Sequence, residues 1–324
     1  MKILRKYLFL LLFLLTLPGA HSQQTSFPAG STPGNVGQEL IEWGKQDKLF
    51  SDRDLRESKS SQQLIPYHSD SDNNDIGEQQ ILKRIEQWQA FILSANAALF
   101  HTDNVALGST AEQNDHYMTA SLGLSYQPRI TKTLLGEFSI NQSVYRYDEF
   151  RQLDFDGLSM DLGLVLSVPK LANSMLFIRY SYDRLTDTRE HHEFYTSHAI
   201  SFGIHKIFSL SKAHYFYLGA SYDLSIDTVP LLPQRDQFSI YGGYSLNITR
   251  SIRFAASHKS TFYDYRSGGR EDWNHLYSLS ANYYLTKWFY LTASAALYQN
   301  DSNLGIFNYE AINYGLGLGV QVKF

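Results

Sequence analysis

The chain has 324 residues, a formal net charge of −4 and no cysteine. The negative balance argues against nucleic acid as a partner, and the lack of cysteine excludes disulfides, thiolate metal sites and lipid attachment through Cys. Mean hydropathy is −0.30, and beyond residue 22 no apolar run reaches helix-spanning length, so the chain is either soluble or crosses a membrane through strands.

Residues 1–22 have the layout of an export signal. A basic head at 1–6 is followed by an apolar run at 7–17 and a small-x-small cleavage site at 20–22. The apolar run is shorter than the roughly 20 residues that a spanning helix needs, which disfavours a retained anchor. We therefore predict a signal peptide that is cleaved after Ser22.

Residues 23–87 form a polar segment that is too small for an independent core. The stretch 23–38 is rich in Pro, Gly, Ser and Thr, whereas 39–56 and 76–85 each place apolar residues at helical spacing. We predict a flexible or weakly helical periplasmic extension. The alternative is a segment that enters and plugs a barrel lumen, as happens in larger barrels.

From Trp88 onward the sequence alternates with a period of two. In 158–168, for example, the even positions are Leu, Met or Val, while the odd ones, apart from Val165, are small or polar. One apolar and one polar face at this period indicates strands whose two sides meet different surroundings. Twelve such segments are predicted, near 88–100, 115–127, 133–147, 157–168, 174–185, 195–208, 213–226, 236–248, 251–263, 274–286, 288–299 and 309–324.

The connections between these segments alternate in length. Short links are predicted at 128–132, 169–173, 209–212, 249–250 and 287, and long polar links at 101–114, 148–156, 186–194, 227–235, 264–273 and 300–308. This alternation predicts a closed antiparallel barrel of 12 strands, with 10 and 14 as alternative counts. Both chain ends then lie on the short-turn side, which is periplasmic in bacterial outer-membrane barrels.

The composition of the second face separates a membrane barrel from a soluble β-sandwich or barrel. In a soluble barrel the polar face meets water and usually carries many charges, whereas here it holds Gly, Ser, Asn and Thr with few Lys or Glu. Small polar residues suit a crowded lumen, so we predict that the apolar face meets lipid. We assign to the two membrane interfaces the aromatic residues near segment ends, namely Tyr145, Tyr147, Tyr215, Phe216, Tyr263, Tyr265, Trp273, Trp288 and Phe289.

The export signal, the alternating strands and a last strand that ends in Val-Lys-Phe at 322–324 resemble Gram-negative outer-membrane β-barrel proteins. The resemblance covers residues 88–324. It implies location in the outer membrane, contact with its lipid, periplasmic N- and C-termini, and recognition of Phe324 by the barrel assembly machinery. It does not imply one activity, because this class is functionally diverse.

The predicted lumen face carries ionisable residues. These either form structural ion pairs that fill the barrel, or line a narrow polar pore and tune its selectivity. Twelve strands are fewer than the roughly 16 to 18 of wide aqueous porins, so we predict a porin-like narrow channel, a transport or binding barrel, or a structural membrane component. The sequence does not choose a solute. The lumen residues are Glu137, Asp161, Arg179, Asp183, His205, Asp223, Lys259 and Lys323.

An enzymatic alternative rests on the ninth predicted strand. His258 and Ser260 lie one strand repeat apart on its lipid-facing side, and Asn274 and His275 follow Trp273 on the next strand. This arrangement is similar to outer-membrane phospholipase A, and its His-x-Ser is similar to that of lipid A deacylases. The resemblance implies a lipid ester hydrolase with Ser260 as nucleophile, His258 as base and Asn274 or His275 as the group that orients His258; only here would calcium be a cofactor.

Two features of the sequence depart from that lipolytic pattern. Thr261 and Phe262 follow Ser260 where the phospholipase family has Asn-Gly. Asn274 also shares the alternation of the predicted lumen residues, and only a β-bulge would turn it outward.

No metal site is predicted. His191, His192 and Glu193 lie in one predicted external loop, and 101–103 lie in another. Neither group offers the several convergent ligands that a metal ion needs, so we interpret both as solvated loop residues.

Overall fold

The computed structural model of the protein describes residues 88–109, 112–171, 174–211 and 213–324. They form a closed antiparallel barrel of 12 strands, which confirms the predicted fold. The predicted signal peptide and extension, residues 1–87, lie outside the described residues. The strands are β1 (Phe91–Thr102), β2 (Asp115–Tyr126), β3 (Leu134–Tyr147), β4 (Phe155–Val168), β5 (Ser174–Asp187), β6 (Glu193–Ser209), β7 (His214–Val229), β8 (Arg235–Asn247), β9 (Ile252–Tyr265), β10 (Glu271–Tyr284), β11 (Phe289–Ser302) and β12 (Tyr309–Lys323).

Pairing between the first and last strands closes the barrel. The register runs from Ile92 opposite Lys323 to Thr102 opposite Asn313. Phe91 and Phe324 extend this ladder, since each backbone N–H donates to the other residue's carbonyl oxygen at 3.0 Å. Each of the 12 strands of the described residues therefore has a partner on both sides, and the barrel that they form has no open edge.

Helix is a minor component of the described residues. It is confined to three short 3₁₀ segments at Arg151–Leu153, Pro169–Leu171 and Gly305–Phe307. None of the helices in the described ranges is long and apolar enough to span a membrane.

The two faces of the barrel wall differ as the alternation predicted. On β4, Leu162 points outward with 61% of its surface exposed, while its neighbour Asp161 points inward and is buried. Leu316 on β12 and Leu279 on β10 are exposed on the outside in the same way. This outer belt of Leu, Ile and Phe is the surface that hydrocarbon would cover.

Several strands extend further at the long-loop end than predicted. β7, for instance, continues to Val229, and β6 begins at Glu193, so the connections after β5 and β7 shrink to 188–192 and 230–234. A β-bulge interrupts each extension, because the register shifts between Leu185 and Thr186 in the β5–β6 pair and between His198 and Ala199 in the β6–β7 pair. The extra residue breaks the alternation of the sequence while the backbone ladder continues.

A shared side-chain device closes four of the five short turns. A Ser or Thr hydroxyl accepts hydrogen bonds from the backbone N–H groups two and three residues ahead; in the β8–β9 turn, Thr249 Oγ1 accepts from Ser251 at 3.1 Å and from Ile252 at 3.0 Å. The other three acceptors are Thr131, Ser211 and Thr286. These local bonds satisfy backbone donors that the tight turn would leave unpaired.

The membrane-facing role of the outer belt gives a first prediction. We expect Leu162→Lys to lower the free energy of unfolding in lipid vesicles by about 2–4 kcal/mol, because a charge there meets the hydrocarbon centre. The matched change Ile312→Lys lies outward at the long-loop end of β12 and should cost about 0–1 kcal/mol. Denaturant titration measures both values, and equal losses would contradict the assigned membrane position.

Candidate functional site: the barrel lumen

The predicted ionisable residues do line the inside of the barrel, and they gather on one side of it. Seven of them are buried on strands β3 to β9, whereas the eighth, Lys323, lies on the inner face of β12 near its end and is partly exposed. The seven are Glu137, Asp161, Arg179, Asp183, His205, Asp223 and Lys259. We call strands β3 to β9 the charged wall.

A buried ion pair joins β3 and β5 in the charged wall. Arg179 Nη2 and Nε donate to Glu137 Oε2 at 2.7 and 3.2 Å, and the two side chains are only 6% and 1% exposed. The pair reaches across Gly163 on β4, which is registered with both residues. A Cβ at Gly163 would come within 2.8 Å of the Ile178 carbonyl oxygen, so this position must stay without a side chain.

Serine hydroxyls hold a second carboxylate in place. Asp161 Oδ2 accepts from Ser139 Oγ at 2.9 Å, and Asp161 Oδ1 accepts from Ser181 Oγ at 2.7 Å. The three residues sit on adjacent strands β3, β4 and β5. Both oxygens of this buried carboxylate therefore have donors supplied by the wall itself.

Opposite charges alternate further around the charged wall. Asp223 on β7 has Lys259 on β9 as its leading charged neighbour, and Arg179 on β5 as the next. Glu137, Arg179, Asp223 and Lys259 thus alternate in sign across β3, β5, β7 and β9, while Asp161 and Asp183 add two further carboxylates. A nearby opposite charge lowers the cost of burying a charged group.

Strands β1, β2, β11 and β12 build a different surface. Between Asp115 at one end and Lys323 at the other, the inward positions of β1, β2, β11 and β12 carry no charge. Most of these inward side chains are partly exposed, whereas those in the middle of the charged wall are mostly buried. We call these four strands the neutral wall. Its small or polar inward residues include Ser94, Asn96, Ala98, Thr119, Ser121, Thr292, Ser294, Gly315, Gly317 and Gly319.

This contrast places the solvent-accessible part of the lumen off centre. An inward side chain can be exposed only if space for water lies in front of it. The large and charged side chains of β3 to β9 fill their half of the cross-section, and the small residues of the neutral wall leave theirs open. We call the open half the passage.

Buried aliphatic and aromatic residues fill the lumen at its long-loop end. Val105, Leu153, Phe155, Leu185 and Tyr195 form a buried apolar cluster there. Beside it, Arg270 stacks between the rings of Phe307 and Tyr265 at 3.7 and 4.3 Å and binds Asp272, and Arg235 stacks on Tyr263 at 4.0 Å.

The prediction that all the aromatic residues near segment ends lie at the membrane interfaces is wrong in part. Trp273 and Trp288 are exposed on the outside, but five tyrosines face the lumen. Their alternation already indicated this, since Tyr263 and Tyr265 share a face with Lys259 and Thr261. The inward residues are Tyr145, Tyr147, Tyr215, Tyr263 and Tyr265.

The residues of the lipolytic pattern lie on two sides of the wall. His258 and Ser260 face outward, and His275 lies opposite Ser260 on β10, whereas Asn274 is buried in the lumen. No bulge interrupts the β9–β10 register. The structure therefore does not bring Asn274 to His258.

Other contacts occupy these side chains. Asn274 donates to Asn300 Oδ1 at 3.3 Å and to the Tyr309 hydroxyl at 3.1 Å. His258 stacks on Tyr277, with ring centroids 4.4 Å apart. Within the described part of the chain, no hydrogen bond joins His258 to Ser260.

The loop residues considered for metal binding stay dispersed. Across residues 88–109, 112–171, 174–211 and 213–324, no three His, Asp or Glu side chains converge on a common point. His192 instead lies 3.6 Å from Glu190 in the same loop.

The chain end takes part in closing the barrel. The ring of Phe324 stacks on Phe91 with centroids 5.6 Å apart and remains 60% exposed on the outside. Its ring is thus accessible on the outer surface, where the first and last strands meet.

Neither a protein-family model nor a curated protein matches the sequence. Solved structures do share the fold. An outer-membrane channel from Pseudomonas putida F1 superposes with a TM-score of 0.53 at 11% identity, covering 74% of this chain and 97% of that one. The outer-membrane channel DcaP of Acinetobacter baumannii gives 0.41 at 9% identity, covering 72% and 96%, and the translocator domain of the autotransporter NalP from Neisseria meningitidis gives 0.42 at 9%, covering 72% and 89%. At such identities the likeness speaks for the fold alone, and by the first comparison this fold is that of outer-membrane β-barrels.

Proposed function

We propose that the protein is a narrow channel of a Gram-negative-type outer membrane and that small polar solutes move along the passage. The observation that carries this proposal is the contrast between the two walls of the lumen. The neutral wall is uncharged and partly exposed through its middle, where Asn96, Thr119 and Thr292 lie, while the middle of the charged wall is packed shut. A wet polar surface inside a membrane barrel is what solute movement requires.

The same contrast bears on selectivity. The charges of the charged wall that could select ions are buried, Glu137 and Arg179 as an ion pair, and the neutral wall carries none between its two ends. Fixed charges act on passing ions mainly where they are exposed and unpaired. The channel is therefore weakly selective between cations and anions, and its size limit rather than its charge restricts solutes.

Orientation in the membrane is part of the proposal. The short turns, the start of β1 and the end of β12 all lie at the same end of the barrel. Short turns are periplasmic in bacterial outer-membrane barrels. In this orientation Phe324 lies at the periplasmic end, where the barrel assembly machinery would meet it. The Pseudomonas putida protein of similar fold is itself described as an outer-membrane channel, which fits this assignment.

A lipid ester hydrolase has less support. His258, Ser260 and His275 do share the outer surface, but Asn274 is committed to lumen contacts on the other side of the wall. No observation on the described residues supports calcium or any other cofactor.

The passage can be mapped by cysteine labelling, because the chain has no native Cys. We expect wild-type protein in planar bilayers to show small, steady conductance. A charged, membrane-impermeant thiol reagent should react with Thr119→Cys and Thr292→Cys in the neutral wall and reduce their conductance. Ser201→Cys and Ser239→Cys, which replace fully buried residues of the charged wall, should stay unmodified. Conductance as large as that of a wide porin, or equal labelling of both walls, would contradict the proposal.

Substitutions of Glu137 and Arg179 can distinguish a structural role of the buried charges from a role in ion selectivity. We expect Glu137→Gln to lower the free energy of unfolding by about 3–5 kcal/mol, because Arg179 loses its ion-pair partner in a buried site. Replacing both residues by Met should recover most of this loss. The reversal potential in a salt gradient should stay the same in all three proteins. A shifted potential without loss of stability would assign these charges to selectivity instead.

The orientation is open to a labelling test on intact cells. Leu231 in the β7–β8 connection and Lys287 in the β10–β11 turn are both exposed, at opposite ends of the barrel. We expect an impermeant thiol reagent to modify Leu231→Cys from outside and to reach Lys287→Cys only after the outer membrane is opened. The reverse labelling pattern would show that the barrel has the opposite orientation in the membrane.

A further inference from the structure

We propose that a ring of cationic side chains at the short-turn end of the barrel binds the head groups of anionic phospholipids. An aliphatic side chain beside each cation enters the hydrocarbon and holds the ring at the membrane boundary. This lipid binding does not depend on whether the barrel conducts, so it goes beyond the proposed channel function.

Four of the five short turns share a three-residue sequence. An aliphatic residue is followed by Ser or Thr and then by Lys or Arg, at 130–132, 210–212, 248–250 and 285–287. The middle residue is in each case the hydroxyl that closes the turn. Those hydrogen bonds account for the hydroxyl, but not for the aliphatic and cationic side chains on either side of it.

The aliphatic and cationic side chains are exposed in four of the turns. The aliphatic ones have between 49% and 55% of their surface exposed. At a membrane boundary such a side chain can enter the hydrocarbon while the cation beside it reaches out to the head groups. The exposed cations are Lys132, Lys170, Arg250 and Lys287, and the aliphatic residues beside them are Ile130, Leu171, Ile248 and Leu285.

Carboxylates are missing from the same end of the barrel. None of the five short turns contains Asp or Glu, and within four residues of them the only one is Glu137, which is buried against Arg179. Among the described residues, Lys170, Arg250 and Lys287 form no ion pair. The barrel thus places no negative charge next to these three cations, and a binding partner for this end is anionic.

The connections at the opposite end have a different charge balance. The β3–β4 connection, for example, contains Asp148, Glu149 and Asp154 with Arg151 as its one cation. The exposed cations of the short turns therefore do not reflect a generally basic surface, in keeping with the net charge of −4.

The arrangement of the cations favours lipid over a protein partner. The four turns that carry them follow β2, β4, β8 and β10, so the cations are spread around the circumference of the barrel. Lipid surrounds a membrane barrel on every side, whereas one docked protein would cover only part of such a ring. Trp288, exposed beside Lys287, is a residue typical of the membrane interface, where Lys and Arg attract anionic lipid.

Electron paramagnetic resonance with spin-labelled lipids tests the proposal on the purified protein in phosphatidylcholine vesicles. We expect the wild type to prefer spin-labelled phosphatidylglycerol over spin-labelled phosphatidylcholine roughly fivefold, the contribution of about one cation near the head group. The triple variant Lys170→Gln, Arg250→Gln, Lys287→Gln should lose most of this preference. The control variant Arg151→Gln, Arg189→Gln removes exposed cations from the long-loop end and should keep it.

Salt supplies a second measurement that needs no variant. Raising the ionic strength should reduce the preference of the wild type, because salt screens exposed charges. Equal association of both lipids with the wild type, or a preference that salt leaves unchanged, would overturn the proposal. A folded triple variant with the wild-type preference would do the same, as would an equal loss in the control variant. None of these readouts involves conductance, so their failure leaves the channel proposal untouched.

Discussion

Backbone hydrogen bonding between β1 and β12 is the interaction on which the rest of the structure depends. In hydrocarbon no water is present to satisfy a strand edge, and each unpaired N–H or C=O group costs several kcal/mol. Closure removes both edges at once, and it does so at 12 strands. The strand count then fixes a lumen that side chains can half fill, which is why the identity of each inward residue matters.

The two walls fill the lumen to different extents. Strands β3 to β9 carry large and charged side chains whose partners lie one or two strands away, as Glu137 and Arg179 do across Gly163. The strands at the closure carry Gly, Ala, Ser and Thr instead. The tightly packed side chains and the small residues that leave space thus lie on different strands of the same barrel.

Alternation in the sequence predicted the strands and their faces, because period two follows directly from strand geometry. The second strand was expected at 115–127 and spans Asp115–Tyr126, and all the predicted lumen charges face inward. Strand ends were missed where a β-bulge breaks the alternation, as in β7 before Val229. Tyr263 and Tyr265 were assigned to an interface because position near a segment end was weighed above their alternation.

The contacts across the neutral wall could not be predicted from the sequence in the same way. Alternation tells which way a side chain points, but not which residue it meets on another strand. The Tyr290 hydroxyl donates a hydrogen bond to Asn96, which is 194 positions away, and Gly319 between them belongs to a third strand. Their meeting depends on the register of two strand pairs, which no local pattern in the chain encodes.

The hydroxyl-closed turns have a consequence for how the barrel is built. Each turn is specified by residues within four positions of one another, so the entropic cost of closing the hairpin around it is low. Such hairpins can form early in folding. The pairing of β1 with β12 joins residues at opposite ends of the described chain and can form only after the intervening hairpins have aligned. Assembly of this protein is therefore ordered by its topology: hairpins first, and the seam beside Phe324 last.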